Sequence, residues 1–586
     1  MKKKSIFAGL FFLFLLSGCT KDSIFTDNEE EDIVPGGSDT SSDEVLDGNQ
    51  ETHESSDDYV WNESDVVNII LSGSSIAVEG AGATVSNSVV TITTGGTYKV
   101  TGTLNNGQLI VDSDNDETVR IILSGANIAC SNSAAVYVKN AEKTVLILAE
   151  DTENELADGA EYVYASGEDE PKATLYSADD LTLYGNGQLS IKGNYNDAVS
   201  SKDGLILKDV NLVVEAVDDG IRGKDYLVVK NSTLKLDVEG DGLKSDNEDD
   251  TSKGYIHIES GSFEITSGGD AVQAETDLVV ANGDFTITSG GGSSYGYNSG
   301  VSAKGLKAGN NLIIDYGNFV VSSADDAIHS NEYLTVNDGV FEISTGDDGV
   351  HADTEITINK GDFNITKSYE GIESAIIVLN GGNISIVSSD DGLNCAGGND
   401  GSATGRPGFG GFTSSGNYYL YINDGRVAIN ATGDGIDVNG TIEMSGGTVI
   451  VHGPTSNNNG ILDYDRAFNM NGGVLIGAGS AGMAQAPGSG SSQNTVALVL
   501  SSTNNAGTLV HFQNDGGDEL VTFAPAKKYQ LVLYSSPDLV KGKSFTAYLG
   551  GSHSGNPSNG LYSDGTYTPG SLFSTFSVSD VVTVVR

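Results

Sequence analysis

The sequence predicts an all-β protein whose main part is a parallel β-helix, with three short strands in each coil and a period of about 22 residues. The first observation is a recurring phrase of an acidic residue, Gly or Ala, and an aliphatic residue. Its copies begin at Asp197, Asp219, Asp241, Asp270, Lys304, Asp326, Asp348, Glu370, Asp391 and Asp434. Apolar alternation inside each period and Asn-Gly or Asp-Gly turns between the alternating segments are the other two observations.

The alternation defines the strands of each coil. Apolar residues stand five and seven positions before most acids, as at Phe341 and Ile343, and a second pair lies mid-period, as at Leu334 and Val336. A third apolar position follows the acid itself. Alternation with a period of two indicates strands with one buried face, whereas helical repeats need a period of 3.6.

Residues 1–19 predict a secretory signal of the lipoprotein type. Three lysines precede the apolar run Ile6–Leu16, which is too short for a spanning helix, and Leu16-Ser-Gly-Cys19 resembles the bacterial lipobox. We therefore expect lipid on Cys19 and a position on the extracellular face of the cell envelope, on either the cell membrane or the outer membrane. That lipid is the only membrane contact expected.

The rest of the chain divides by composition and period. Residues 20–58 are acidic and Ser-rich, which predicts a disordered tether. Residues 59–172 have strands of irregular period and are expected to form an N-terminal β cap and the first coils. Residues 173–480 form the regular helix, and residues 481–586 a C-terminal β cap.

The formal net charge of −51, with 81 acidic against 30 basic residues, argues against nucleic acid and anionic membrane surfaces as partners. Cys130 and Cys395 fall many coils apart, so they are expected to be buried free thiols and not a disulfide. We expect a monomer.

The acidic positions of successive coils should form a column. Carboxylates one strand spacing apart repel by about 1 kcal/mol per pair in water, and clustered carboxylates suit Ca²⁺. Protonation, splaying into solvent, or ordinary Asp-Gly turn chemistry are the alternatives. The candidate metal ligands are Asp197, Asp218, Asp219, Asp241, Asp325, Asp326, Asp347, Asp348, Glu370, Asp390 and Asp391.

Basic residues cluster beside the first acids of this column. Lys202, Arg222, Lys224 and Lys244 fall on adjacent coils next to Asp197 and Asp219 and their neighbours. Such cations, together with Ca²⁺, would both recognise the carboxylates of an acidic polysaccharide such as pectin. The alternative is a set of solvated counter-charges.

Several phrases resemble a bacterial carbohydrate-binding β-helix family known from clostridia. They include Ala135-Val-Tyr-Val-Lys139, Asp219-Gly-Ile-Arg-Gly-Lys-Asp225, Gln273-Ala-Glu-Thr-Asp277 and Val451-His-Gly-Pro-Thr455. The resemblance covers roughly residues 66–586. It implies a right-handed parallel β-helix that binds calcium and acidic or cellulosic polysaccharide, and that is similar to family 9 pectate lyases.

That similarity raises an alternative, a calcium-dependent polysaccharide lyase with Lys244 or Lys224 as the base. Family 9 lyases carry a further acid shortly after the paired acids, where this chain has Arg222 and His351. No coil pair carries the whole constellation, so binding is the predicted function and no catalytic residue is assigned. A surface adhesin or rigid spacer is the third possibility.

Other candidates are weaker. His329 and His351 share one column, so they either stack at the surface, which is the favoured interpretation, or bind a transition metal. Trp61 is the only tryptophan, which argues against a flat platform for crystalline cellulose. Tyrosines predicted to lie in loops, and therefore available to stack on sugars or pack, are Tyr295, Tyr297, Tyr418, Tyr419 and Tyr421.

Overall fold

The computed structural model describes residues 40–113, 117–295, 300–396 and 417–586. The predicted signal peptide with Cys19, the first half of the predicted tether, Tyr297 and the Gly401–Gly416 loop lie outside these ranges. The described part of the chain contains one α-helix, Ser42–Gly48, and two 3₁₀ turns, Ser56–Tyr59 and Glu63–Asp65. No helix within those ranges is long and apolar enough to cross a membrane.

Strands make up most of the described chain. In the first half they are β1 Val67–Gly73, β2 Ser75–Glu79, β3 Ala83–Ser86, β4 Val89–Ile92, β5 Gly96–Leu104, β6 Gln108–Asp112, β7 Val119–Ala129, β8 Val136–Asn140, β9 Lys143–Leu148, β10 Glu153–Ala157, β11 Ala173–Ser177, β12 Asp180–Tyr184, β13 Gln188–Gly193, β14 Asp197–Ser201, β15 Gly204–Lys208, β16 Asn211–Ala216, β17 Ile221–Gly223, β18 Tyr226–Lys230, β19 Ser232–Val238, β20 Leu243–Ser245, β21 Tyr255–Ile258, β22 Gly261–Ser267, β23 Val272–Ala274, β24 Leu278–Val280 and β25 Asp284–Ser289.

The second half continues the series. Its strands are β26 Leu306–Ala308, β27 Asn311–Ile314, β28 Asn318–Ser323, β29 Ile328–Ser330, β30 Tyr333–Val336, β31 Val340–Thr345, β32 Val350–Ile358, β33 Asp362–Ser368, β34 Ile372–Leu379, β35 Asn383–Ser388, β36 Leu393–Cys395, β37 Tyr419–Ile422, β38 Arg426–Ala431, β39 Ile436–Val438, β40 Thr441–Met444, β41 Thr448–His452, β42 Leu462–Tyr464, β43 Ala467–Met470, β44 Val474–Gly479, β45 Thr495–Asn504, β46 Val510–Asn514, β47 Glu519–Phe523, β48 Tyr529–Ser535, β49 Ser544–His553, β50 Tyr567–Ser577 and β51 Val582–Val585.

The strands stack in three parallel ladders, because over most of the chain each strand pairs with the third strand before it and the third after it. The first ladder runs through β14, β17, β20, β23, β26 and β29 into β32, and on through β34, β36, β39 and β42. The second contains β15, β18, β21, β24, β27 and β30, and the third β16, β19, β22, β25, β28 and β31. This largely parallel, all-β arrangement agrees with the predicted fold class and is consistent with a β-helix.

The interior is built from the alternating apolar positions. Paired residues of the third ladder stack their side chains, and a row of five phenylalanines has ring centroids 4.3 to 4.9 Å apart: Phe263, Phe285, Phe319, Phe341 and Phe363. These rings are at most 2 % exposed. The stack follows directly from the parallel register, which places equivalent residues of neighbouring coils about 4.7–4.9 Å apart.

Antiparallel strands occur at the two ends of the ladders. Strand β1 pairs antiparallel with β2, and β3 with β4. At the other end β48 pairs antiparallel with β44 and covers the last strand of the third ladder, while β46, β47, β49 and β50 form a separate four-stranded sheet. These pairings protect ladder edges that would otherwise present unpaired backbone groups.

Residues 42–65, here called the N-terminal strap, lie along the second ladder. Leu46 packs against Tyr226 and Val228, Val45 against Val279 and Ile313, and Trp61 against Val145. The central residues of the second-ladder strands are apolar at several positions under the strap, such as Ile206, Val228, Val279 and Ile313. The equivalent residues of the next two coils are the polar Thr335 and Thr357.

The strap differs from the disordered tether predicted for residues 20–58. Its helix begins with a capping box between Ser41 and Glu44, and polar bonds fix the segment farther on. Asn49 donates to Asp277 at 3.1 Å, and the backbone N–H of His53 donates to the hydroxyl of Tyr226 at 2.8 Å. Composition misled the prediction because a few well-spaced apolar side chains suffice to anchor an otherwise acidic segment.

Both described cysteines are free and buried, as predicted. Cys130 is 5 % exposed and Cys395 is fully enclosed. Tyr419 and Tyr421 differ from the expectation, since they lie on strand β37 and not in a loop. Tyr295 is exposed at the edge of a described range.

Candidate functional site

Two columns of side chains run along the first ladder. The acid column holds the first residue of each repeated phrase: Asp197, Asp219, Asp241, Asp270, Lys304, Asp326, Asp348, Glu370, Asp391 and Asp434. The central column holds the residue three positions later, which is the middle of most first-ladder strands. Register places Ser200, Arg222, Lys244, Gln273, Lys307, His329, His351, Glu373, Asn394 and Asp437 side by side in that order, and Asp463 continues the column on the next coil.

In most acid-column carboxylates, one oxygen accepts a backbone hydrogen bond from the next coil. Oδ1 of Asp219 accepts the backbone N–H of Asp241 at 2.9 Å, and Oδ1 of Asp348 accepts that of Glu370 at 2.9 Å. The same bond joins other neighbouring coils, including Asp391 to the N–H of Asp434. The column is therefore partly a ladder of turn acceptors, which was the alternative to a purely ionic role.

The second oxygen faces the central column, where side-chain cations meet several of the carboxylates. Lys244 Nζ lies 2.7 Å from Asp241 and 3.0 Å from Asp219. Lys307 lies 3.2 Å from Asp270. In these coils neighbouring lysines therefore supply positive charge to the carboxylates.

Lys304 stands at a position of the acid column that is otherwise acidic, and its ammonium pairs with two carboxylates of the following coil. Its Nζ lies 2.8 Å from Asp325 Oδ1 and 2.7 Å from Asp326 Oδ2. Burial by itself would raise the pKa of Asp326, but the Lys304 ammonium and a bond from His329 outweigh it and hold that pKa well below its usual range. Burial and neighbouring carboxylates raise the pKa of Asp347, the third member of this cluster, to about 8.

In the C-terminal coils, acids occupy several column positions that are occupied by Lys or Arg in the N-terminal coils. One carboxylate oxygen each from Asp391, Asp434 and Asp437 lies within 4.8 Å of the others. Burial and the neighbouring negative charges raise the pKa of Asp391 to about 9 and of Asp437 to about 7. No Lys or Arg makes an ion pair with these three acids in the part of the chain that the structure describes, so the cluster has the charge and oxygen ligands for Ca²⁺.

A second acidic cluster lies at the N-terminal end. Asp197, Asp218 and Asp219 bring their oxygens within 4.8 Å, and Oδ2 of Asp197 is buried without a hydrogen bond among the described residues. Burial and the charge of Asp219 raise the pKa of Asp197 to about 8, although Arg222 lowers it from 4.0 Å away. Asp241 of the predicted metal set pairs with Lys244 instead.

The predicted basic residues do come together. Lys202, Arg222 and Lys224 line one cleft of about 200 Å³ with Tyr176 and Glu170. Lys202 pairs with Glu170 at 2.7 Å, and Arg222 with Asp246 at 2.7 Å, while Lys224 makes no ion pair to any described residue. The cleft is thus a cationic surface beside an aromatic ring.

Lys244 lies one coil farther along and lines a separate cleft of about 360 Å³ with Gln273, Lys307 and several acids. Burial alone would lower its pKa, but Asp241 and Asp219 raise it above the ordinary value. A lysine that holds its proton this firmly is poorly suited to act as a base, which weighs against the role considered for Lys244 in a lyase.

The rings of His329 and His351 are neighbours, with centroids 4.8 Å apart and planes tilted by 30°, and both residues are buried, whereas stacking at the surface was the favoured prediction. Each ring contacts the acid-column carboxylate of its own coil, Asp326 or Asp348. Glu370 and Glu373 lie on the next coil, and burial together with neighbouring acids raises the pKa of Glu373 to about 8. Asp390 accepts a bond from Tyr369 at 2.7 Å.

Sequence reasoning left Asp434, Asp437 and Glu373 out of the metal set, because it gave weight to the doubled acids. The signal that finds them is an acid in the phrase together with an acid three residues later. Parallel register then places the second acid in the central column, beside the carboxylates of the adjacent coil.

Comparison with known proteins adds three similarities. A family described as "Carbohydrate-binding domain-containing protein" matches residues 86–349. A protein of that description from Acetivibrio thermocellus is 40 % identical over 73 residues, which is 12 % of this chain and 26 % of the relative. The chain therefore spans about a quarter of the length of that curated relative. A solved structure, described as the polysaccharide lyase-like protein from C. thermocellum in a gadolinium derivative, is 30 % identical, covers 38 % of this chain and 92 % of its own, and has a TM-score of 0.38.

Proposed function

We propose that the protein is an extracellular, lipid-anchored carbohydrate-binding protein that binds Ca²⁺ and an acidic, pectin-like polysaccharide along a right-handed β-helix. The family match over residues 86–349 supports carbohydrate binding. The lipobox-like end at Cys19 supports export and anchoring.

The observation that carries the proposal is the change of charge along the central column. Its cations Arg222, Lys244 and Lys307 lie in the N-terminal half, and its acids Glu373, Asp437 and Asp463 lie in the C-terminal half. A polymer of uronic acids would meet the two halves differently. Its carboxylates would pair directly with the cationic half, whereas at the acidic half Ca²⁺ would bridge the carboxylates of protein and sugar.

In the cationic half, the first cleft contains lysines that remain available to a ligand. Lys224 makes no ion pair with any described residue, and the side chain of Lys202 is 50 % exposed, so both are accessible to a sugar carboxylate. Tyr176, in the same cleft, offers a ring face for a sugar. The Ca²⁺ ligands proposed are Asp391, Asp434 and Asp437 in the acidic half, with Asp197, Asp218 and Asp219 as a second cluster in the cationic half, where Asp219 also pairs with Lys244 at 3.0 Å.

Binding is preferred over lysis because Lys244, one of the two bases considered, is held by two carboxylates. A test of the cationic half is retention on immobilised polygalacturonate by a Lys202→Gln/Lys224→Gln variant. We expect at least a tenfold loss of affinity and a weaker dependence on salt. Lys235→Gln, at an exposed pair with Glu264 on the third ladder, is the matched control. Unchanged retention in the double variant would exclude this cleft as the binding surface.

A further inference from the structure

His351 is enclosed by three carboxylates. Its Nδ1 lies 3.3 Å from Asp348 Oδ2 and 3.3 Å from Glu373 Oε2, and its Nε2 lies 3.3 Å from Asp353 Oδ1. Asp348 is on the same coil and Glu373 is the next residue of the central column. The imidazole thus points one nitrogen at a pair of acids and the other at a third.

These three contacts are ion pairs, but they are longer than the closest ion pairs of the two columns. An imidazolium bonded to carboxylate is expected at about 2.7–2.9 Å. The ring of His329, one coil earlier, lies closer to its partners: its two nitrogens lie 2.9 Å from Asp326 Oδ2 and 2.9 Å from Asn331 Oδ1. His351 is held farther from all three of its partners.

A separation of 3.3 Å is also what two ligands of one tetrahedral metal show. Zn²⁺ binds imidazole nitrogen and carboxylate oxygen at about 2.0–2.2 Å, which makes each edge of the tetrahedron about 3.3–3.6 Å. Both edges that join His351 Nδ1 to an acid have this length. The three ligand atoms of Asp348, His351 and Glu373 all lie within 4.8 Å of one another.

Glu373 supplies an independent observation. Its side chain is fully buried, and neither carboxylate oxygen has a hydrogen-bond partner among the described residues. Its ion pair among the described residues is to the His351 ring, which Asp348 and Asp353 also contact, so a bound cation would further stabilise these buried carboxylates. The side chain is not needed for the ladder, because the backbone pairing of β32 with β34 is independent of it.

We propose that Asp348, His351 and Glu373 bind a divalent transition metal such as Zn²⁺ through Oδ2, Nδ1 and Oε2. The imidazole ligand favours such a metal over Ca²⁺, which prefers an all-oxygen site. Asp353 would accept the Nε2–H and fix the ring's orientation and tautomer, as carboxylates do for metal-bound histidines. This site is separate from the Ca²⁺ clusters of the proposed function, and it assigns Asp348 to a different metal.

The test is a Zn²⁺ titration of the chelator-treated full chain by calorimetry in the presence of excess Ca²⁺, so that all-oxygen sites are already filled. We expect one high-affinity Zn²⁺ per chain. Glu373→Gln and His351→Gln should each weaken that site at least tenfold, and Asp353→Asn about 10–100-fold. His329→Gln is the matched control, because its ring is satisfied by its own hydrogen bonds, and it should keep the site.

X-ray absorption at the zinc edge of the wild-type protein gives a measurement that does not depend on how a variant folds. One imidazole nitrogen with two or three oxygens is expected. A shell of oxygens alone, the absence of a one-to-one site, or equal losses in His329→Gln and His351→Gln would overturn the proposal.

Discussion

The ammonium of Lys304 lies 2.7 Å from the carboxylate of Asp326, in the one copy of the repeated phrase that lacks an acid. Both side chains are nearly enclosed, with 12 % and 3 % exposed. Lys304 therefore contributes to folding, because it places a cation next to the doubled acids Asp325 and Asp326. In the other coils the carboxylates depend on lysines of the central column, as at Asp241 and Asp270, or on protons or bound ions.

Replacement of Lys304 by methionine should destabilise the protein strongly. The change keeps the length of the side chain but leaves Asp325 and Asp326 buried without their counter-charge, which costs about 3–5 kcal/mol. Denaturant unfolding followed by circular dichroism measures the effect. Lys235→Met removes an exposed ion pair and should cost less than about 1 kcal/mol. Similar losses in the two variants would contradict the assignment.

In the presence of chelator, stability contributed by the unpaired acids should fall as the pH rises. Asp197, Asp391 and Asp437 have folded pKa values of about 8, 9 and 7, above the 3.8 of a free aspartate. Their contribution is fully present below about pH 3.8 and is lost as the pH rises through the folded values. Thermal midpoints in chelator should be lower at about pH 9 than at about pH 5, and Ca²⁺ should reduce the difference.

At lower pH, the contribution of Asp326 to stability changes with pH in the opposite direction. The pKa of Asp326 is held well below 3.8 in the folded state, so its contribution is present above 3.8 and is lost as the pH falls. Thermal midpoints in chelator that rise steadily from about pH 5 to pH 9 would show that the acid clusters are not buried and uncompensated as described.

Asp391→Asn should separate the structural and ionic tasks of one carboxylate. Asparagine can still accept the backbone N–H of Asp434, but it removes the charge. In chelator at about pH 8 the variant should be more stable than wild type. Saturating Ca²⁺, at about a hundred times its dissociation constant, should stabilise wild type by about 2.7 kcal/mol and the variant by less than half of that. Equal stabilisation by Ca²⁺ would place the ion elsewhere.

Val45→Asp should detach the N-terminal strap without unfolding the ladders. Val45 is 6 % exposed and packs against Val279 and Ile313, so a carboxylate at that position has no partner. Hydrogen exchange should rise in residues 42–48 and at the apolar positions beneath them, while β28 and β31 stay protected. Ser42→Ala, which loses only a bond to Asp315, should change exchange much less. Loss of protection throughout the chain would mean that the strap is required for the fold.

The repeat made the ladders predictable because strand register follows from the period of the apolar positions. Phe319 and Phe341 occupy the same place in consecutive periods, and parallel pairing then stacks them. The same reasoning placed Arg222 beside Lys244. Spacing alone thus fixed which residues are neighbours across coils.

Sequence reasoning failed where the outcome depended on how neighbouring side chains are satisfied. The carboxylate of Asp241 was expected to need a metal, but Lys244 reaches it. The burial of His351 and the lack of donors around Glu373 depend on three-dimensional packing that no local pattern reports. The strap was missed because Val45, Leu46 and Trp61 are isolated apolar residues in an acidic segment.

We propose above that the central column binds an acidic polysaccharide with the help of Ca²⁺. The most direct measurement incubates the mature protein with polygalacturonate, with and without Ca²⁺, and follows both retention on the polymer and ultraviolet absorption of unsaturated products. We expect Ca²⁺-dependent retention without unsaturated product. Unsaturated product would instead identify a lyase, and no retention at any Ca²⁺ concentration would exclude polysaccharide binding by this column and favour an adhesin or spacer.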